Sequence, residues 1–161
     1  MIKLPYFGIL DLQFCNYRQD IEINGEMIHL DLNIADVQMS EEIFSKLEYF
    51  LNRLQIFNIQ NLDYINNDFY SGVGCVREYI KYHKRELEEN SFSLLDLNNT
   101  LNGGEILLSK ISLLRIGIYI DKINRSDNFA YFDYCIKNET DYLIVVTTNE
   151  NGHINNLSWE S

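Results

Sequence analysis

Gly72-Val73-Gly74-Cys75 is the nearest the chain comes to a glycine-rich phosphate loop. A phosphate loop needs a Lys-Ser/Thr pair after its glycines, and a dinucleotide turn needs a third glycine following a strand. This stretch has neither and interrupts a helical pattern, so close helix packing accounts for its glycines. Nucleophilic catalysis would require a thiolate or alkoxide with a base beside it. Cys75 stands among apolar neighbours on a helix-patterned segment, where cysteine serves as a small core residue. His29, His83 and His153 fall in three separate elements, without the His/Cys spacing that holds a metal. The sequence thus points to no catalytic residue, no metal and no cofactor.

Carboxylates beside tyrosines carry the remaining signal. Asp31 falls on the outer side of a hairpin near Asp20 and Glu22, while Asp121 and Asp133 take outward positions on two later strands, beside Tyr119 and Tyr131. Asp31, Tyr119, Asp121, Tyr131 and Asp133 are therefore the candidate binding residues. Tyrosine supplies contact area at little entropic cost, so such a face suits a basic protein partner. It equally suits a wet sheet face with nothing bound. Paired carboxylates can also do acid–base work, but no spacing here sets their separation.

The elements that must position these residues are clearly patterned. A type I′ turn at Asn24-Gly25 makes Tyr17–Ile34 a hairpin, with Tyr17, Ile21, Ile23, Ile28, Leu30, Leu32 and Ile34 on one face. Arg18, Asp20, Glu22, His29, Asp31 and Asn33 fall on the other, so one face is expected buried and the other wet. Phe7 to Leu12 offers a further strand. Ser40 is placed as a helix N-cap ahead of Glu41 and Glu42, followed by an apolar stripe at Ile43, Phe44, Leu47, Phe50, Leu51 and Leu54.

A second helical region covers Leu62 to Glu89, kinked or broken at Gly72 and Gly74, with Ile65, Phe69, Val73, Val76, Ile80 and Leu87 as its stripe. Ser93 to Leu101 reads as a short helix before a flexible Asn102-Gly103-Gly104. The period then changes to two: Leu114, Ile116, Ile118 and Ile120 alternate with Arg115, Gly117, Tyr119 and Asp121. Phe129–Ile136 and Tyr142–Thr148 follow as strands. A type I′ turn at Asn151-Gly152 leads into His153–Trp159, with Val146 opposing Leu157 and Ile144 opposing Trp159. Strands, then helices, then strands predict an α+β fold. The expectation is one antiparallel sheet with two or three helices on one face, in the order hairpin, helices, four-stranded meander.

The 161 residues suffice for a single domain, 1–161, with a substantial core. Acidic residues outnumber basic ones by 24 to 13, for a net charge of -11, which disfavours nucleic acid and anionic membranes and would attract a basic partner. Three widely separated cysteines, Cys15, Cys75 and Cys135, form no disulfide framework and fit a reducing cytoplasm. The N-terminal residues lack a signal-peptide pattern, and the longest apolar stretches fall short of a bilayer span. In such a compartment the Asn138-Glu139-Thr140 glycosylation pattern has no meaning.

Several segments resemble an uncharacterised bacterial family, the domain-of-unknown-function family numbered two thousand and four. The resemblance lies in Leu4-Pro5-Tyr6-Phe7-Gly8, in Leu114-Arg115-Ile116-Gly117-Ile118-Tyr119 and in the ending. There Thr140-Asp141-Tyr142-Leu143-Ile144-Val145-Val146 precedes Asn151-Gly152 and Leu157-Ser158-Trp159-Glu160-Ser161. The stretch Asn58–Gly104 shares only helical character. The resemblance implies a small soluble bacterial protein and transfers no activity or site residues. Small, acidic, motif-free chains are similar in style to immunity proteins that neutralise a toxin. The expected function is a non-enzymatic protein-binding module, an immunity-type inhibitor of a basic toxin, acting as monomer or homodimer. The alternative is a small-molecule-binding or enzymatic domain with a pocket between helices and sheet.

Overall fold

The computed structural model describes residues 2–35, 39–89, 103–121, 127–136 and 141–161, without the side chains of 35, 87–89 and 121. A short antiparallel hairpin, β1 (Ile2–Leu4) and β2 (Gly8–Leu10), forms a separate two-stranded sheet whose Leu4 and Leu10 join the core. The main sheet begins with β3 (Asn16–Ile23) and β4 (Glu26–Ala35). The helices that follow among the described residues are α1 (Glu41–Leu51), α2 (Leu54–Ser71), α3 (Cys75–Glu89) and α4 (Gly103–Ser109). The chain returns as β5 (Ile111–Asp121), β6 (Ala130–Ile136), β7 (Leu143–Thr148) and β8 (Ile154–Glu160). The fold is α+β, and β3 to β8 lie side by side in sequence order in one six-stranded sheet.

The pattern predicts a wholly antiparallel sheet; the sheet is mixed. β4 and β5 run parallel, with Leu30 beside Ile116 and Leu32 beside Ile118. A parallel neighbour requires a crossover that carries the chain back along the strand, and the helical stretch supplies it. Side-chain alternation is the same in either direction, so periodicity could not reveal this. Among the described residues the helices number four rather than two or three, and Gly103 and Gly104 begin α4 instead of forming a flexible link. The predicted helix at Ser93–Leu101 and the Asn138-Glu139-Thr140 pattern lie outside the described residues.

The first hairpin forms as its residues dictate. Asn24 (φ 52°) and Gly25 (φ 83°) both take the left-handed conformation, and Ile23 pairs with Glu26. Ile21, Ile23, Ile28, Leu30, Leu32 and Ile34 are buried together beneath the helices. The last hairpin keeps the expected register, with Val146 against Leu157 and Ile144 against Trp159, but its turn differs. Gly152 alone is left-handed at φ 80°; its amide donates to the Asn149 carbonyl at 3.0 Å, and the Asn149 amide donates to His153 at 3.0 Å. That makes a three-residue loop, and an irregularity between Thr147 and Thr148 restores the register. Phe57 requires the glycine: a Cβ on Gly152 would come within 2.1 Å of its ring.

Ser40 caps α1 as expected, its hydroxyl accepting from the Ile43 amide at 3.3 Å. Leu47, Phe50 and Leu51 carry α1 into the core, where the Phe50 ring centroid sits 4.9 Å from Phe57 and 6.2 Å from Phe132. Leu54 opens α2 rather than closing α1, and Val73 is 92% exposed, outside the stripe assigned to it. Gly72 (φ 85°) ends α2 in the left-handed conformation that glycine adopts without strain. Asp68 then reaches forward, its Oδ2 accepting from the Val76 amide of α3 at 2.8 Å.

Candidate functional site

The helices pack on one face of the sheet; the other is open to water at Arg18, Asp20 and His29 and closes to 4% exposure at Val145 and Thr147. Four of the five candidate residues converge on that open face, around a residue that sequence reasoning passed over, Arg115. In the sequence Arg115 is one of the residues that alternate with Leu114, Ile116, Ile118 and Ile120, and no motif marks it as a site. Its Nε donates to Asp31 Oδ2 at 2.5 Å, its Nη1 to Asp133 Oδ2 at 3.0 Å and its Nη2 to the Tyr119 hydroxyl at 2.7 Å. Three donors in a rigid fork thus tie together β4, β5 and β6. The Asp31 carboxylate also meets Arg18 Nε at 3.5 Å.

Three local features place the guanidinium there. Pairing shifts between Leu113 and Arg115, so Leu114 is an extra residue in β5. That bulge, where strict alternation had placed Leu114 in the core row, aims Arg115 directly opposite Asp133. Parallel pairing then sets Asp31 beside Gly117, one step along the same face. Gly117 itself leaves the space in which Arg115 crosses to Tyr119. A Cβ there would stand 2.9 Å from Tyr119 Cε2 and 3.0 Å from Arg115 Nη2.

Around this clamp lies a concavity of about 400 Å³, lined by Arg115, Tyr119, Tyr131, Asp133, Leu143, Val145 and Glu160. The Tyr119 and Tyr131 rings meet edge to face, with centroids 5.4 Å apart at 88°. Leu143 and Val145 give it an apolar side, and Glu160, whose Oε1 accepts from the Ser158 hydroxyl at 2.9 Å, gives it an acidic rim. Asp121 ends β5 with its backbone paired to Ala35, and its side chain is outside the described residues.

Asp133 does look outward, as expected, but its residue is only 7% exposed. Burial raises its pKa above the ordinary carboxylate value, with Glu160 and Asp31 adding to the rise and the Arg115 contact opposing it. Burial also works against the charged form of Arg115, and its bonds to Asp31, Tyr119 and Asp133 outweigh it, so its pKa is raised. The two carboxylates are therefore partners of one guanidinium. Acid–base work by either would have to break that ion pair.

The other candidates resolve as structural. Gly74 touches Asp68 so closely that a Cβ would overlap its carboxylate, and that carboxylate occupies the start of α3 where an anion would bind. Cys75 has its pKa raised by burial and by Asp68, the opposite of an activated thiolate. His29 Nδ1 and Asp20 Oδ1 stand 2.6 Å apart across the exposed hairpin face. His83 is buried on α3 beside Tyr79, with ring centroids 4.4 Å apart. No group of three or more His, Cys, Asp or Glu placed to hold a metal occurs among the described residues, where no helix is long and apolar enough to cross a membrane.

Compared with family models, curated proteins and solved structures, the chain matches none.

Proposed function

We propose that the open face of the sheet is a protein-docking surface and that the chain is a non-enzymatic binding module for a basic partner. The observation that carries this reading is the concavity beside the Arg115 clamp. Two tyrosine rings and an apolar ledge stand next to Glu160 and to Asp133, whose carboxylate shares the Arg115 guanidinium with Asp31, itself also met by Arg18. A lysine or arginine side chain entering there meets aromatic faces and an excess of negative charge. The overall net charge of -11 speeds the encounter. An immunity-type inhibitor covering the basic patch of a toxin is a pairing of this kind, and the free cysteines Cys15, Cys75 and Cys135 suit action in the cytoplasm. The family resemblance of the two chain ends agrees with a small bacterial protein of this sort.

The alternative, a ligand pocket between helices and sheet, has less room. Leu47, Phe50, Phe132 and Tyr134 fill that layer at 0% exposure, and the Tyr134 hydroxyl donates to Asn58 Oδ1 at 2.9 Å.

The test is affinity capture with the tagged chain and with its Tyr131→Ala/Glu160→Lys variant. A stoichiometric basic protein retained by the first and lost by the second, and released by salt, supports the reading. Equal recovery by both removes this face from consideration.

A further inference from the structure

A second hollow, of about 310 Å³, lies on the helical side of the molecule, between the end of α2, α3 and the start of α4. Its chemistry is the reverse of the sheet face. Arg77, Lys81 and Lys84 recur at intervals of four and three along α3, which brings them to one side of the helix, and all three line the hollow. Three basic side chains and one carboxylate, Glu105, line the concavity, a local excess of basic groups in a chain with 13 basic residues against 24 acidic ones.

The remainder of the hollow is aromatic and apolar. Phe69 and Tyr70 meet edge to face with centroids 5.1 Å apart, and the Arg77 guanidinium carbon stands 6.0 Å from the Phe69 ring centroid. The Tyr70 residue is 63% exposed, an aromatic surface open to stacking. On the far rim Glu105 Oε1 accepts from the Tyr70 hydroxyl at 3.4 Å, a long bond that a better donor can displace. Lys81 Nζ meets Glu78 at 2.7 Å, an exposed pair of the kind that contributes little and leaves the ammonium able to engage an anion.

We propose that this hollow binds a nucleoside phosphate. Arg77, Lys81 and Lys84 take the phosphate oxygens, the Tyr70 ring stacks the base, and Glu105 accepts from the ribose hydroxyls. The size suits one nucleotide, since small-ligand sites begin at about 300 Å³. A nucleic acid strand is disfavoured, because beyond the hollow its phosphates would run over an acidic surface. The site is separate from the docking face and does not depend on it.

Calorimetric titration of the intact protein at low ionic strength tests this with three probes: adenosine monophosphate, inorganic phosphate and adenosine. Saturable binding is expected for the nucleotide, weaker binding for phosphate and weakest for adenosine. Lys81→Glu/Lys84→Glu should raise the nucleotide Kd by about tenfold or more. Tyr70→Ala should weaken the nucleotide while leaving phosphate unchanged. Absence of saturable nucleotide binding overturns the proposal, as does a Kd indifferent to the lysine substitutions. Phosphate bound as tightly as the nucleotide, with no effect of Tyr70→Ala, reduces the hollow to a simple anion patch and overturns it too. Should the double variant unfold, amide shifts in the unaltered protein decide: they must centre on Tyr70, Arg77 and Glu105.

Discussion

Arg115 and Asp133 face each other in register across the β5–β6 pair, and Arg115 Nη1 donates to Asp133 Oδ2 at 3.0 Å. The pair is the centre of the open sheet face, and Asp133 is largely withdrawn from water. Removing the guanidinium leaves a mostly buried carboxylate without its counter-charge. Arg115→Met should therefore cost about 2 kcal/mol at neutral pH, below the range for fully buried pairs because Arg115 is itself partly exposed. Denaturant unfolding of both proteins checks this.

The pH dependence of that loss has a definite sign. The pKa of Asp133 is already raised in the folded protein by burial, so its ionisation favours the unfolded chain, and stability falls as pH rises through the carboxylate range. Without Arg115 the rise in pKa grows. The destabilisation of Arg115→Met should be smallest near the acid end of the folded range and increase towards neutrality. A loss independent of pH between 4 and 7, on the order of the carboxylate range, would mean the arginine acts through packing alone.

Gly117 gives Arg115 its path to Tyr119. A Cβ at this position forces both side chains aside, so Gly117→Ala should cost about 1 kcal/mol. The cost should shrink in the Arg115→Met background, because the contact it disturbs is then partly gone. A double-mutant cycle measures the coupling, and strictly additive losses would show that the glycine serves another purpose.

Gly152 combines a left-handed backbone with a ring pressed against its Cα. Gly152→Ala should destabilise by about 2 to 4 kcal/mol, from strain and from displacement of Phe57. Thermal unfolding reads this directly. A loss no greater than that of an ordinary loop substitution would contradict the packing of the last turn on α2.

The thiols should differ in reactivity. Cys15 is exposed, whereas Cys75 and Cys135 have pKa values raised first by burial. Titration with a thiol-specific disulfide reagent under native conditions should modify one cysteine quickly and the other two only on unfolding. Rapid reaction at Cys75 would reopen a nucleophilic role for it.

Local chemistry made much of the fold legible. Asn24-Gly25 can close a two-residue turn without strain, alternation separated the two faces of the first hairpin, and Ser40 with two glutamates marked the start of α1. The pairings of Val146 with Leu157 and Ile144 with Trp159 were expected from a two-residue turn that does not form, and they hold because the irregularity at Thr147–Thr148 offsets the longer loop. The outward positions of Asp31, Tyr119, Tyr131 and Asp133 were readable from the period of two.

Tertiary structure decided what those positions meet. Alternation carries no strand direction, so the parallel β4–β5 pair, which brings Asp31 alongside β5, was invisible. The extra residue at Leu114 is a matter of pairing, and pairing also makes Arg115, one polar position in an alternating strand, the partner of two carboxylates. Phe57 lies far from Gly152 in the chain, yet its ring excludes any side chain there. The sequence determined which residues share a face, because side-chain period is a local property of the backbone. Only the tertiary structure determined which charges neutralise one another, because an ion pair depends on neighbours brought together by strand order and burial.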